Sequence, residues 1–373
     1  MTAGMLKILF LVEQYADEGS RFYREFFRHL GERGAEVSVL NLSRSDTFES
    51  DVGSLVGSIT QLDLDGNYRR ALPHIRSAVS RQHVDVVQAI ETIPAYYGAR
   101  ALLRMGGRKP ALVYGRRHGP TTGLKYRLMD AVGFRGSSMV VAVSDAAAQM
   151  ARREHPFQKQ KVRTIYSGVD LSSSATPTPD EQAALDRITA SGSSFTVLLL
   201  GRLREVKGHQ VALDALEELT PELPDLRLLI VGEGPLRTKL ETSIERRGLE
   251  SAVEMVGHVE AIAPFLELAD AVIIPSLADA FPKVGIEAFA AGTPVIASAV
   301  GGLVDLISDG HSGLLVPPGD SHALAAAIRT LHADPVLAGS LASAGRARFD
   351  QSFTMDAMVQ AYLEVYREVI AEP

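Results

Sequence analysis

The strongest constraint on the fold is an alternation that runs through the first half of the chain and then starts again. Lys7–Val12 is an apolar run with no polar alternation, as a strand buried on both faces requires. A polar turn leads to a helical stretch, Arg21–Arg33, with Ser20 as its N-cap. Gly34 stops it, and Glu36–Leu40 is the next strand. Phe22, Tyr23, Phe26, Phe27 and Leu30 share one helix face, a stripe that a core needs; the flanking Arg21, Arg24 and Arg28 keep membrane contact as the lesser reading. Strand, helix and strand with short turns make a right-handed parallel unit. The pattern continues through helix Asn67–Arg81, strand Val84–Gln88, helix Ile93–Met105 and strands Ala111–Tyr114, Met139–Val143 and Val162–Tyr166. About seven such steps fill one doubly wound domain, residues 1–171. Residues 172–194 are rich in Ser, Pro and Gly around a short Ala-rich piece and read as a linker. From Phe195 the alternation restarts and fills a second domain, 195–352. A last amphipathic helix within 353–373 precedes no strand and is expected to pack toward the first domain.

At 373 residues the chain is long enough for two cores. It has no Cys, which excludes disulfides and thiolate metal sites and suits a reducing compartment. No apolar run approaches the roughly 18 residues of a spanning helix, and the N-terminus leads straight into a strand. A cytoplasmic protein is expected, with peripheral contact to the inner membrane face as an option. Charge is divided unevenly. Residues 1–170 carry 24 Lys and Arg against 17 Asp and Glu, whereas the remainder carries 14 against 28. The basic half suits an anionic surface or acceptor. Nucleic acid fits poorly, because no basic block is interleaved with aromatics.

The chemistry-bearing residues cluster where strands end. Ala271–Ile274 is followed by Asp279 in a loop and by Glu287 on a short helix, eight residues apart. The amides of Lys283 and Val284 are first-turn donors suited to an anion. Spacing alone does not separate a ligand site from a dipole partner plus a solvated charge. Strand Phe195–Leu200 runs into Gly201, Arg202 and Lys207, two cations at one strand end. A departing diphosphate needs either a metal or fixed cations with helix-start amides. Gly232, Glu233 and Gly234 follow strand Leu226–Val231, without the third glycine of a dinucleotide fingerprint, and His258 and Val259 follow Gly257. In the first domain, Arg116, Arg117 and His118 end a strand, Lys125 and Arg127 follow, and Gly19 and Ser20 lie after the first strand. No Gly-x-Ser-x-Gly or His-Glu-x-x-His motif is present, so neither the hydrolase elbow nor that zinc motif is offered.

In combination these stretches resemble the GT4 family of retaining glycosyltransferases, from residue 19 to residue 320. The paired acids with Phe281-Pro282, the Gly201-Arg202…Lys207-Gly208 loop, Val231-Gly232-Glu233-Gly234-Pro235, Gly301-Gly302 and Val316-Pro317-Pro318-Gly319-Asp320 carry the match. The resemblance implies the GT-B arrangement: α/β, two doubly wound Rossmann-like domains facing across a cleft. It implies sugar transfer from a UDP-, GDP- or ADP-sugar, with retention and without metal or other cofactor. Arg202 and Lys207 would hold the leaving diphosphate, Glu287 the ribose, Asp279 the sugar hydroxyls and His118 the sugar near its anomeric centre. Gly19, Ser20, Gly201, Gly232, Glu233, Gly234, His258, Val259, Phe281, Pro282, Lys283 and Val284 would line the donor. Arg116, Arg117 and Lys125 would meet a hydroxylated acceptor, with an anionic or lipid-linked one among the options, or else form a solvated basic face. Three departures stand out: Asp279 and Asp305 where the family has Glu, a single glycine in the first loop, and Gln88 in place of His. A sugar-nucleotide epimerase, a glycan phosphorylase and a weakly active glycan binder are the competing readings. Oligomeric state is not readable.

Overall fold

The computed structural model describes residues 5–13, 17–43, 52–64, 66–117, 123–171, 176–190, 192 and 195–371, with side chains in the first helix described from Phe22 onward. The chain divides into two compact units, Met1–Ser167 with Met355–Pro373, and Gly168–Thr354.

The first unit is built on seven parallel strands: β1 (Leu6–Val12), β2 (Ala35–Asn41), β3 (Ser58–Gln61), β4 (Val86–Ile90), β5 (Ala111–Arg116), β6 (Met139–Ala142) and β7 (Val162–Thr164). Their order is β3-β2-β1-β4-β5-β6-β7, so the direction of winding reverses between β1 and β4. Along β1 the side chains divide between two cores. Leu9 and Leu11 enter one, with helices α2 (Ala71–Gln82), α3 (Thr92–Leu103), α4 (Leu124–Gly136) and α5 (Asp145–Glu154). Ile8, Phe10 and Val12 enter the other, against α1 (Asp17–Glu32). The aromatic stripe of α1 is therefore core: Phe10 meets Phe26 and Phe27 edge-on, with centroids 5.7 and 4.9 Å apart. The periodicity did not reveal β3 or α4. β3 is a four-residue edge strand, and α4 is held by close approach of its glycines as well as by Met129 and Phe134. A Cβ on Gly133 would stand 3.0 Å from that of Ala95, and one on Gly136 2.5 Å from that of Ala99.

The second unit has six parallel strands, β8 (Phe195–Leu200), β9 (Leu226–Val231), β10 (Val253–Gly257), β11 (Ala271–Ile274), β12 (Val295–Ser298) and β13 (Leu314–Val316), ordered β10-β9-β8-β11-β12-β13. Here winding reverses between β8 and β11, which pair through Ala271 with Val197 and Val272 with Leu198. The helices are α6 (Pro179–Ala190), α7 (His209–Leu219), α8 (Arg237–Arg247), α9 (Ala263–Leu268), α10 (Lys283–Ala291), α11 (Leu303–Leu306), α12 (Ser321–Ala333) and α13 (Pro335–Ser352). The Ala-rich piece of the linker stretch is α6. Thr178 and Glu181 close a reciprocal capping box, with Oγ1 accepting from the Glu181 amide at 3.3 Å and Oε2 from the Thr178 amide at 2.7 Å. Glu181 also accepts from the Glu260 amide at 2.6 Å, which ties α6 to the end of β10. Burial would raise its pKa, but these backbone amides hold the carboxyl below the usual range.

The final helix, α14 (Met355–Ala371), belongs to the first unit. Met358, Tyr362 and Tyr366 enter the α1 core, and the buried Tyr366 hydroxyl donates to Gln88 Oε1 at 3.0 Å.

Candidate functional site

In an open parallel sheet, ligands bind at the carboxyl ends of the strands where the winding reverses. In the second unit that point lies between β8 and β11. The loops that leave these two strands, residues 201–208 and 275–282, are locked together. The Leu277 amide donates to the Val206 carbonyl at 2.8 Å. Gly208, at φ 72°, lies so close to Pro275 that an added Cβ would stand 1.9 Å from its carbonyl oxygen. Across this contact Lys207 Nζ donates to Asp279 Oδ2 at 2.7 Å, and Ser276 Oγ donates to the same oxygen at 3.5 Å. A third loop fixes the backbone of Asp279. The Gly302 amide donates to the Asp279 carbonyl at 3.2 Å, and a Cβ on Gly301 would meet that oxygen at 1.7 Å.

The loop after β9 joins from the other side. The Leu203 amide donates to the Glu233 carbonyl at 3.0 Å, and Cβ atoms on Gly232 and Gly234 would strike the carbonyls of Gly201 and Leu203. Gly232, Gly234, Gly301 and Gly302 thus have a common physical reason. They let neighbouring loops touch backbone to backbone at the sheet edge.

α10 starts beside this cluster. Its N-cap is Pro282, and the Gly285 amide turns back to the Pro282 carbonyl at 3.3 Å. The Lys283 and Val284 amides occupy the positions for which a helix supplies no acceptor. Gly285 packs tightly on Ile274 and Leu306, and Glu287, half-buried, stands one turn further along α10. Phe281 is buried and contacts Phe353 at a centroid distance of 5.9 Å, so its side chain anchors the loop to α13's end.

Gly201, Arg202, Lys207, Gly232, Glu233, Gly234, His258, Val259, Asp279, Pro282, Lys283, Val284 and Glu287 all lie along the carboxyl edge of this one sheet. Glu233 is exposed and paired with Arg237. His258 lines a groove of about 460 Å³ with Thr178, Asp180, Arg187 and Glu260, while the Val259 side chain is buried.

His209 follows the Lys207-Gly208 turn and is 1% exposed. Burial, reinforced by the nearby Lys207 charge, pushes its pKa down to about 4. The imidazole is therefore neutral and adds no charge near Lys207.

The first-unit residues fall differently. His118 lies outside the described residues, as does the side chain of Ser20; the backbones of Gly19 and Ser20 form the first turn of α1 instead of the preceding loop. Arg116 does not face an acceptor. It is 3% exposed and paired with Glu154, and its Nη1 stands 4.0 Å from Asp130. Asp130 also accepts from Tyr114 at 2.7 Å and contacts His155 Nε2 at 2.8 Å. Burial alone would raise the Asp130 pKa, but His155, Arg116 and Tyr114 hold it below the usual range. Arg116 thus neutralises a buried network, as buried charges require. Arg117 is half-buried, with its guanidinium carbon 5.1 Å from the Phe22 ring centroid and Nη1 3.5 Å from the Tyr23 hydroxyl, so α1 packing holds it. Lys125 is exposed on α4.

Residues that the sequence did not single out occupy the reversal point of this unit. Glu13 follows β1, Glu91 follows β4, and the Tyr68 hydroxyl donates to Glu13 Oε1 at 2.6 Å. Burial raises the Glu13 pKa and pushes that of Tyr68 up to about 12. Glu91 adopts φ 75°, ψ 175°, a region rare outside glycine. Only the strand order identifies these positions.

Comparison with known proteins gives two adjoining matches. The family model for Glycosyl transferases group 1 matches residues 181–348, and that for Glycosyltransferase Family 4 matches 19–173. A D-inositol 3-phosphate glycosyltransferase of Jonesia denitrificans is 32% identical over 241 residues, covering 62% of this chain and 57% of the relative. A glycogen synthase of Mycobacterium tuberculosis is 35% identical over 172 residues, covering 46% and 42%. The chain therefore spans about half the length of these relatives. Among solved structures, Anabaena HepE in complex with UDP superposes with a TM-score of 0.84 at 23% identity, over 97% of this chain and all of that one. That likeness places the fold among the GT-B glycosyltransferases.

Proposed function

Because the chain belongs to the group 1, family 4 glycosyltransferases, we propose that it moves a hexose-type sugar from a nucleotide diphosphate to an acceptor hydroxyl with retention at the anomeric carbon. One observation carries this reading: Lys207 and Asp279 meet at 2.7 Å where the second sheet reverses its winding, beside the N-terminus of α10. A cation, a hydroxyl acceptor and helix-start amides then stand within one loop cluster, which is the set a sugar diphosphate requires.

In this reading Arg202 and Lys207, with the Lys283 and Val284 amides, take up the charge that develops on the departing diphosphate. Those fixed charges do the work of a metal ion. Glu287 accepts from ribose hydroxyls, Asp279 from hydroxyls of the sugar, and the base lies along the His258 groove. The leaving phosphate accepts the acceptor's proton, so no carboxylate nucleophile is needed. UDP, the ligand in the Anabaena structure, is the first donor nucleotide to try. The name of the Jonesia relative points to a hydroxylated ring as acceptor. Glu13 and Glu91 supply hydroxyl-accepting carboxylates at the reversal point of the first sheet.

The test is nucleotide release from UDP-, GDP- and ADP-sugars, with and without a chelator, on the intact protein and on Lys207→Ala. Turnover that resists chelation and falls by about two to three orders of magnitude in the variant supports the assignment. Near-normal turnover by Lys207→Ala refutes the role given to that lysine.

A further inference from the structure

A surface helix ordinarily turns its apolar stripe inward and its charges outward. α4 is apolar on both sides. Met129, Gly133 and Phe134 are buried in the first unit, together with Asp130. On the opposite side Leu124 is 74% exposed, Leu128 61% and Val132 41%. Their spacing of four residues puts them in one stripe along the helix. Lys125 borders this stripe on one side and Arg127 on the other, and Arg135 lies in line with it. The only acid of the helix, Asp130, is buried and bound by Tyr114 and His155. The outward face therefore carries three cations, no anion and a run of large aliphatic side chains.

We propose that this face of α4 docks on an anionic lipid bilayer, with the leucine stripe at the boundary of headgroups and acyl chains and the cations among the lipid phosphates. Charge complementarity selects this occupant. A second copy of the chain, packed by a two-fold axis, would bring Lys125, Arg127 and Arg135 against their own equivalents. A nucleic acid would leave the leucines against phosphate. The helix has 13 residues, about two-thirds of what spanning a bilayer takes, so it lies in the plane of the interface. The excess of basic over acidic residues in positions 1–170 favours the same surface. This inference is independent of the chemistry proposed above.

Sedimentation of the full chain with vesicles tests it, using phosphatidylcholine alone and phosphatidylcholine mixed with phosphatidylglycerol. The intact protein is expected to pellet with the mixed vesicles. The double variant Leu124→Ser, Leu128→Ser should partition about 100-fold more weakly, roughly tenfold for each partly inserted leucine. Arg127→Glu keeps the apolar stripe and should weaken binding by about fivefold or more at low salt, with the difference shrinking as salt rises. Failure of the intact protein to pellet, or pelleting of the double variant like the intact protein, overturns the proposal. So does a dimer in light scattering that the double variant dissolves, because the face would then belong to a second copy.

Discussion

Gly208→Ala is the substitution that most directly probes how the loops at the carboxyl edge of the second sheet are assembled. Two costs combine at this position. At φ 72°, ψ 24° any residue with a Cβ is strained, by about 1–2 kcal/mol. The new methyl would also stand 1.9 Å from the Pro275 carbonyl oxygen and 2.8 Å from its carbon. Relief needs the two loops to part by about 1 Å, since carbon and oxygen do not approach much inside 3 Å. That displacement breaks the Leu277–Val206 hydrogen bond and the Lys207–Asp279 pair, both already near their optimal lengths. The first contributes about 1 kcal/mol, and the half-buried charged pair about 1 kcal/mol after solvent screening. The expected total is about 3–4 kcal/mol. Gly248→Ala isolates the second cost, because Gly248 has φ 66° and nothing within 4 Å of an added Cβ. That control should lose only about 1–2 kcal/mol. Calorimetric unfolding of both variants, with and without UDP, reads the difference. The reasoning fails if Gly208→Ala lies within about 1 kcal/mol of Gly248→Ala, or if UDP stabilises it as much as it stabilises the intact protein.

Other outcomes follow from the same geometry. Asp279→Asn removes the charge that fixes Lys207 and should lower kcat more than it raises KM. Asp279→Glu keeps the charge, extends the reach by one methylene and should change the ranking of sugar donors in kcat/KM. Identical kinetics with every donor would mean that this side chain touches neither partner. His209 is buried neutral, with its folded pKa of about 4 below an unfolded value of about 6.5. The unfolded chain then binds the extra proton, so stability falls with pH below about 6.5 and levels off near pH 4, by about 3 kcal/mol in all. Urea unfolding from pH 7 to pH 4 should flatten in His209→Leu; an unchanged slope would assign the titration elsewhere. Arg116→Met strands Asp130 beside Glu154 and should cost about 3 kcal/mol. Adding Asp130→Asn should restore part of that loss in thermal unfolding.

Much of the architecture was legible because parallel strands buried on both faces announce themselves as uninterrupted apolar runs. Leu226–Val231 and Ala271–Ile274 were readable to the residue for that reason. α4 was not, because Gly133 and Gly136 contribute contact by having no side chain, while its apolar residues point both ways. The motifs at the strand ends of the second sheet were readable as residue types, but the glycines' purpose was not. Gly232 and Gly234 read as ligand contacts, yet each is demanded by a carbonyl of the next loop. Arg116 read as an acceptor contact because the partner that buries it, Glu154, lies 38 positions away in sequence. Glu13 and Glu91 were invisible because their juxtaposition depends on strand order, which no local pattern encodes.

The interlocked turns at the edge of the second sheet limit how such a protein can diversify. Lengthening any one of them by a residue would unseat its neighbours, since Gly208, Gly232 and Gly301 each abut a main-chain oxygen of another turn. If the proposed function holds, a change of sugar or nucleotide must therefore arise by exchanging side chains on a fixed scaffold. Under the proposed function, laboratory libraries aimed at new donors would do best to vary Asp279 and His258 while introducing no insertion and leaving every glycine alone.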